Sequence, residues 1–231
     1  MSISFVAFGT SSASTTSSTP GMPAGLATDD VMFLFCMYKD DTGDGSAGPS
    51  GWTLTPGMPL SNGANKPCLK VWYRRFVSGD TGPTVPDQDQ MQYTIIGAWR
   101  GVRTAAVGVP WDVTTAGTEA ADITLDATGA TTTHDGCEVI VCASREIDSS
   151  APQYSNWVNA DLTGFAEIHD AGSALGTGGG LGIAAGTKTT AGTYATSTAD
   201  IASTTDCWTT IALIPGQDDT TLGRFQAVMV A

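Results

Sequence analysis

His134 and His169 are the two histidines among 231 residues, so a histidine general base must be one of them. His134 lies in the turn sequence Thr133-His134-Asp135-Gly136, and His169 ends a strand-like stretch beside Asp170. A solvated loop residue is the expectation for both. Neither a Gly-x-Ser-x-Gly elbow nor a cysteine–histidine signature accompanies them. Two carboxylates brought together from distant positions could cleave a glycosidic bond. Glutamate is scarce, with Glu119, Glu138 and Glu167 as candidates. The aspartates concentrate in turns, where their side chains bond the local backbone. No catalytic residue is assigned, and the chain reads as non-enzymatic.

Metal and phosphate signatures are equally thin. Cys-x-x-Cys and His-Glu-x-x-His spacings are absent. Asp40, Thr42 and Asp44 alternate like the start of a calcium loop, with Gly45 sixth. Gly51 then stands twelfth, where such a loop needs a bidentate glutamate. A polar turn is expected there, and no metal or cofactor is assigned. The glycine-rich stretch 176–186 (GTGGGLGIAAG) has neither dinucleotide spacing nor a Gly-Lys-Ser/Thr ending, so a glycine-laden strand edge or bulge is expected. Cys36, Cys68, Cys137, Cys142 and Cys207 are odd in number and lie in or next to apolar runs. They read as buried free thiols, as in a protein assembled in a reducing cytoplasm.

The elements around these residues are strands. Charged residues make up 14% of the chain, while Val, Ile, Thr and aromatics cluster in short runs between glycine-rich turns. The expected strands are 3–8, 31–38, 51–54, 69–77, 90–101, 107–113, 122–126, 137–144, 164–169, 180–186, 199–202 and 207–214. In VMFLFCMY (31–38) both alternating sets are apolar, as is nearly true of CEVIVCAS (137–144). Such strands are covered on both faces. One face meets an opposing sheet, and the other needs a loop, a terminal arm or another subunit. Residues 29–101 and 134–216 also echo each other, with the first strand and Trp52/Trp157 both spaced by about 105 residues. The expectation is one all-β domain over 1–216, built from two pseudo-repeated halves that pack face to face.

A formal charge of −13 with ten dispersed Lys and Arg residues disfavours nucleic acid as a partner. No apolar run approaches the ~20 residues of a membrane helix, so no membrane partner is expected. The start of the chain lacks the basic region of a signal peptide.

Several short motifs carry a resemblance. They are Asp29-Asp30 before the first apolar strand, Pro-x-Gly-Trp-Thr-Leu at 49–54, Trp-Tyr-Arg within 69–76, Ala-Trp-Arg-Gly-Val at 98–102, and Val109-Pro110-Trp111-Asp112. The second half adds 136–142, Asn156-Trp157, 180–186 and 208–216. With these, residues 27–216 resemble phage virion structural and decoration proteins of jelly-roll type. The resemblance implies a jelly-roll-like antiparallel β-sandwich located in the virion. It implies the major capsid protein or other virion subunits as partners, and no catalytic residues. A capsid decoration or cement protein that stabilises the head as a homo-oligomer is the leading expectation. A tail or fibre component that binds host carbohydrate is the alternative, with Tyr154 and Trp157 as candidate glycan contacts.

Two segments fall outside the resemblance. Residues 11–19 are Ser/Thr-rich and read as an extended surface stretch, a lesser candidate arm. Residues 217–231 read as a linker followed by the apolar strand FQAVMVA. Its Phe225, Val228, Met229 and Val230 are candidate docking residues, either completing the chain's own sheet or adding to a neighbour's edge.

Overall fold

A computed structural model describes residues 2–39 and 47–216. Among the described residues the regular structure is antiparallel strands, with one short 3-10 turn at Ala105–Val107. The first half supplies β1 (Ser4–Phe8), β2 (Ser12–Ser14), β3 (Val31–Lys39), β4 (Thr53–Leu54), β5 (Leu60–Ser61), β6 (Cys68–Arg75) and β7 (Met91–Arg100). These form one sheet in the order β1-β7-β3-β6-β4, with β2 on β7 and β5 on β6. The second half supplies β8 (Trp111–Ala127), β9 (Thr131–Thr132), β10 (Cys137–Arg145), β11 (Tyr154–Val158), β12 (Thr163–Ser173), β13 (Gly179–Lys188), β14 (Gly192–Thr193) and β15 (Ser197–Leu213). Its sheet runs β11-β15-β10-β13-β12, with β8 also on β15, while β9 and β14 pair separately.

Alternation explains the core. Val31, Phe33, Phe35 and Met37 of β3 face inward onto Ile140 and Cys142 of β10, Leu181 and Ile183 of β13, and Ile211 of β15. Trp99 lies among them, edge-on to Phe33 and Phe35. Burying each such side chain stabilises the fold by about 1.5–3 kcal/mol.

The outer faces are covered by the chain itself. Met32, Leu34, Cys36 and Tyr38 pack under Met22, Leu26, Trp52 and Val85. In the second sheet, β8 and β15 are longer than the sequence pattern indicated: β15 joins the two strands expected at 199–202 and 207–214. The ladder between them shifts register between Asp200 and Asp206. Such bulges bend a ribbon. Leu125, Ala199, Ile201 and Tyr154 thereby reach Val139, Val141 and Trp208 on the outer face of their own sheet.

Jelly-roll winding, in which sheets draw strands from both parts of the chain, was the implied connectivity. Here each sheet comes from one contiguous half. The two halves do share one strand order, β1-β7-β3-β6-β4 against β8-β15-β10-β13-β12. The tryptophans do not follow it: Trp52 precedes β4, which pairs with β6, whereas Trp157 lies on β11, which pairs with β15. The stretch 11–19 is not a free arm. Ser12–Ser14 pairs with β7, and Ser18 is buried against Thr94 and Gln92. The strand expected at 107–113 begins only at Trp111.

Candidate functional site at the pole of Arg100, Asp112 and His134

The motif residues converge at one end of the sandwich. Asp30, ahead of β3, accepts two bonds from Arg100 at the end of β7, at 2.9 and 2.7 Å. It also accepts the amide of Ala27 at 2.8 Å. Arg75, at the end of β6, donates to the carboxylate and carbonyl of Asp29 and to the Arg103 carbonyl. Tyr73 and Trp111 meet edge-to-face at 4.7 Å. Through Arg75 the linker between the halves is thus tied to the end of β6. Its other attachment is the end of β15: the Arg103 amide donates to the Ile214 carbonyl, and the Ile214 amide to that of Pro110.

The same end holds a cysteine–histidine–aspartate group that sequence reading missed. His134 Nδ1 lies 3.3 Å from Asp112 Oδ2, and Cys137 Sγ lies 3.9 Å from the same oxygen. Asp112 also accepts the amide and hydroxyl of Thr133, at 2.5 and 2.7 Å. These bonds outweigh its partial burial and hold its carboxyl below the usual range. The arrangement is a poor nucleophile site. Burial, then the Asp112 charge, pushes the Cys137 thiol up to about 12. The thiol bonds the His134 carbonyl at 3.3 Å, and the imidazole Nε2 accepts from the Arg103 guanidinium at 2.8 Å. The group ties the first turn of β8 to the turn before β10. Cys137 is three residues from His134, but Asp112 and Arg103 stand 22 and 31 residues away, so no local pattern could reveal the whole group.

Next to it opens a pocket of about 340 Å³ lined by Ser2, Ile3, Asp135, Gly136, Glu138, Thr187, Thr189 and Pro215. Glu138 accepts the Thr187 hydroxyl at 2.8 Å, and burial raises its pKa. Asp135 accepts the Ala191 amide at 2.7 Å. Beyond the pocket the linker exposes Ala105, Ala106, Val107 and Val109 in succession. Val107 and Val109 are 67% and 50% exposed.

The comparisons decide less than the geometry. No family model, curated protein or solved structure matches this chain. Among the described residues, no group of three or more His, Cys, Asp or Glu side chains is placed to hold a metal ion. Nor is any helix there long and apolar enough to cross a membrane.

The other candidates are placed as follows. Tyr154 is 4% exposed, and its hydroxyl donates to Asp206. It is a core residue, unavailable as a glycan contact in this conformation. Trp157 is half-buried, backed by Tyr154 and Phe165, and its indole N–H donates to Glu167 at 3.0 Å. Glu167 is raised by burial and by Asp170. His169 stacks near Phe8 and Tyr93, and burial, helped by Arg145, pushes it down to about 4. It is a neutral, half-buried residue at the edge of the core and not a solvated loop residue. All five cysteines are free and buried. The glycine-rich stretch forms β13, a central strand and not an edge. Its glycines make room: a Cβ on Gly180 would stand 2.9 Å from the Arg145 guanidinium carbon, and one on Gly182 would run into the Tyr154 ring. The calcium-like residues Asp40, Thr42, Asp44 and Gly45 lie outside the described residues, as do Phe225, Val228, Met229 and Val230.

Proposed function

We propose that this chain is a non-enzymatic structural protein of a phage virion, a capsid decoration or cement protein that docks on the head through the pole described above. One observation carries the reading. The residues of the motifs quoted above pair with one another to brace a pole that exposes the apolar loop 105–109 and holds Gly216, the last described residue before segment 217–231. Elsewhere among the described residues the exposed large apolar side chains, Phe5, Val77, Ile123, Val158 and Leu175, lie on separate elements. Scattered apolar residues need no partner, whereas a contiguous exposed loop marks a contact surface. Docking to the shell favours the assembled particle by mass action. Cosedimentation with purified empty shells tests this. Saturable binding that deletion of 217–231 abolishes is expected, and no binding by the intact protein would sink the proposal.

A tail or fibre protein that binds host carbohydrate is the second reading. The half-buried Trp157, set edge-to-face against Phe165 and bonded to Glu167, favours it. Glycan-array binding lost in Trp157→Ala would select it; an empty array would reject it.

A further inference from the structure

We infer that the pole is also a self-association face, in which segment 217–231 of one copy docks on a second copy, Arg224 entering the pocket beside Asp135 and Glu138 and the apolar residues after it covering Val107 and Val109. This deepens the docking reading by naming another copy of the chain as a partner of the arm.

The direction of the chain is the first argument. Pro215 bridges Val102, and the Gly216 amide donates to the Gly101 carbonyl. Continued in register, that ladder would next reach Arg100, but Arg100 already pairs with Ser4, and the Ser2 carbonyl crowds Gly101. An in-register continuation of that ladder would thus meet residues 2–4 at the start of β1, and Gly216 is the last residue described on it. Charge is the second argument. The pocket offers two carboxylates, one of them half-buried, in a chain of charge −13. Arg224 is the sole cation after Lys188, and Phe225, Val228, Met229 and Val230 follow it directly. A guanidinium is the group best suited to a carboxylate-lined recess. Reach is the third. The seven residues between Gly216 and Arg224 span up to ~25 Å when extended, enough to leave one pole and enter another. Because each copy carries both arm and receptor at the same pole, a two-fold arrangement closes with two exchanged arms and no open chain.

Sedimentation velocity of the purified protein, without shells, tests the inference. The intact chain is expected to show a concentration-dependent dimer, and a chain lacking 217–231 to stay monomeric. Arg224→Glu and Asp135→Lys should each weaken the dimer at least tenfold. Mixed together they should associate at least tenfold more tightly than either alone, since one exchanged pair is then wild-type and the other charge-reversed. Glu138→Gln is a milder variant that can keep the Thr187 bond, and it should weaken the dimer in the same direction. A monomer at all concentrations overturns the inference, as does a dimer indifferent to the deletion. Rescue in the Arg224→Glu/Asp135→Lys double variant but not in the mixture also overturns it, because the arm then lies on its own pole. Shell binding by a monomer would leave the virion reading intact, whereas dimers that ignore shells would remove that reading and keep this one.

Discussion

The phenol of Tyr154 donates to Asp206 Oδ1 at 3.0 Å inside the second sheet, and Asp206 Oδ2 has no hydrogen-bond partner among the described residues. Burial raises the Asp206 carboxyl to about 8, against the Tyr154 bond, with Glu119 and Asp122 adding repulsion. The neutral acid is therefore the folded form at pH 7. Around it, the guanidinium of Arg145 reaches the carbonyls of Ile147 and Ala151 and lies 3.5 Å from Asp170. A polar network thus sits beneath β11 in a fold otherwise closed by apolar packing.

Stability should fall as pH rises from about 6.5 to about 8. At lower pH the loss from Asp206 is opposed by His169, which is pushed down to about 4, so that folding releases its proton between about 4 and 6.5. An unfolded aspartate loses its proton near ~3.9, while folded Asp206 keeps it to about 8. Folding therefore binds a proton across that window, and its contribution is fullest on the acid side. Glu119, raised to about 7 chiefly by burial, adds the same sign over a narrower range. Below that window protonation of Asp112, whose pKa is depressed, acts in the opposite sense. Melting temperatures at pH 6.5 to 8 should decline in the wild type and decline less in Asp206→Asn. Equal slopes in the two proteins would refute the assignment.

Arg145→Met should destabilise by about 3–5 kcal/mol, since it leaves Asp170 buried without its ion-pair partner. Asp170 would still accept the amides of Gln153 and Tyr154, at 2.5 and 2.6 Å. The double variant Arg145→Met/Asp170→Asn should cost clearly less than the sum of the singles. Urea titrations of the four proteins measure the coupling, and strict additivity would mean that the two groups do not interact.

Gly182→Ala should cost about 1–3 kcal/mol or more through overpacking against the Tyr154 ring. Gly63→Ala is the comparison: nothing lies within 4 Å of a Cβ there, and only the positive φ of 110° is strained. That strain is worth about 1–2 kcal/mol. If both variants melted alike, steric exclusion at Gly182 would not be the reason for glycine in β13.

The native protein should resist thiol reagents. Cys36 and Cys137 are each pushed up to about 12, mainly by burial, and Cys142 and Cys207 are raised further by the same cause. Thiolate, the reactive form, is then negligible at pH 8. Ellman titration should report no fast-reacting thiol in buffer and all five in denaturant. A rapid stoichiometric reaction in buffer would contradict the burial.

How much was legible in advance varies from element to element. The run 31–38 announced a strand covered on both faces because an apolar side chain at every position leaves no face for water. What covers its outer face, Met22, Leu26, Trp52 and Val85, was not legible, since loops carry no periodicity. The glycines of 176–186 were noticed, but their partners Arg145 and Tyr154 come from other strands. His169 was misjudged as solvated because Phe8 and Tyr93 lie far from it along the chain.

By itself the sequence determined the strand-forming character, the apolar interior, the unpaired thiols and the acidic surface. Each of these follows from local residue type and alternation, which act within a few residues. Only the tertiary structure decided which carboxylate keeps its proton, which imidazole is walled in, and which end of the sandwich gathers the motifs, the linker and Gly216. Those properties depend on desolvation and on partners tens of residues apart, and antiparallel pairing brings such groups together without leaving a mark in either local sequence.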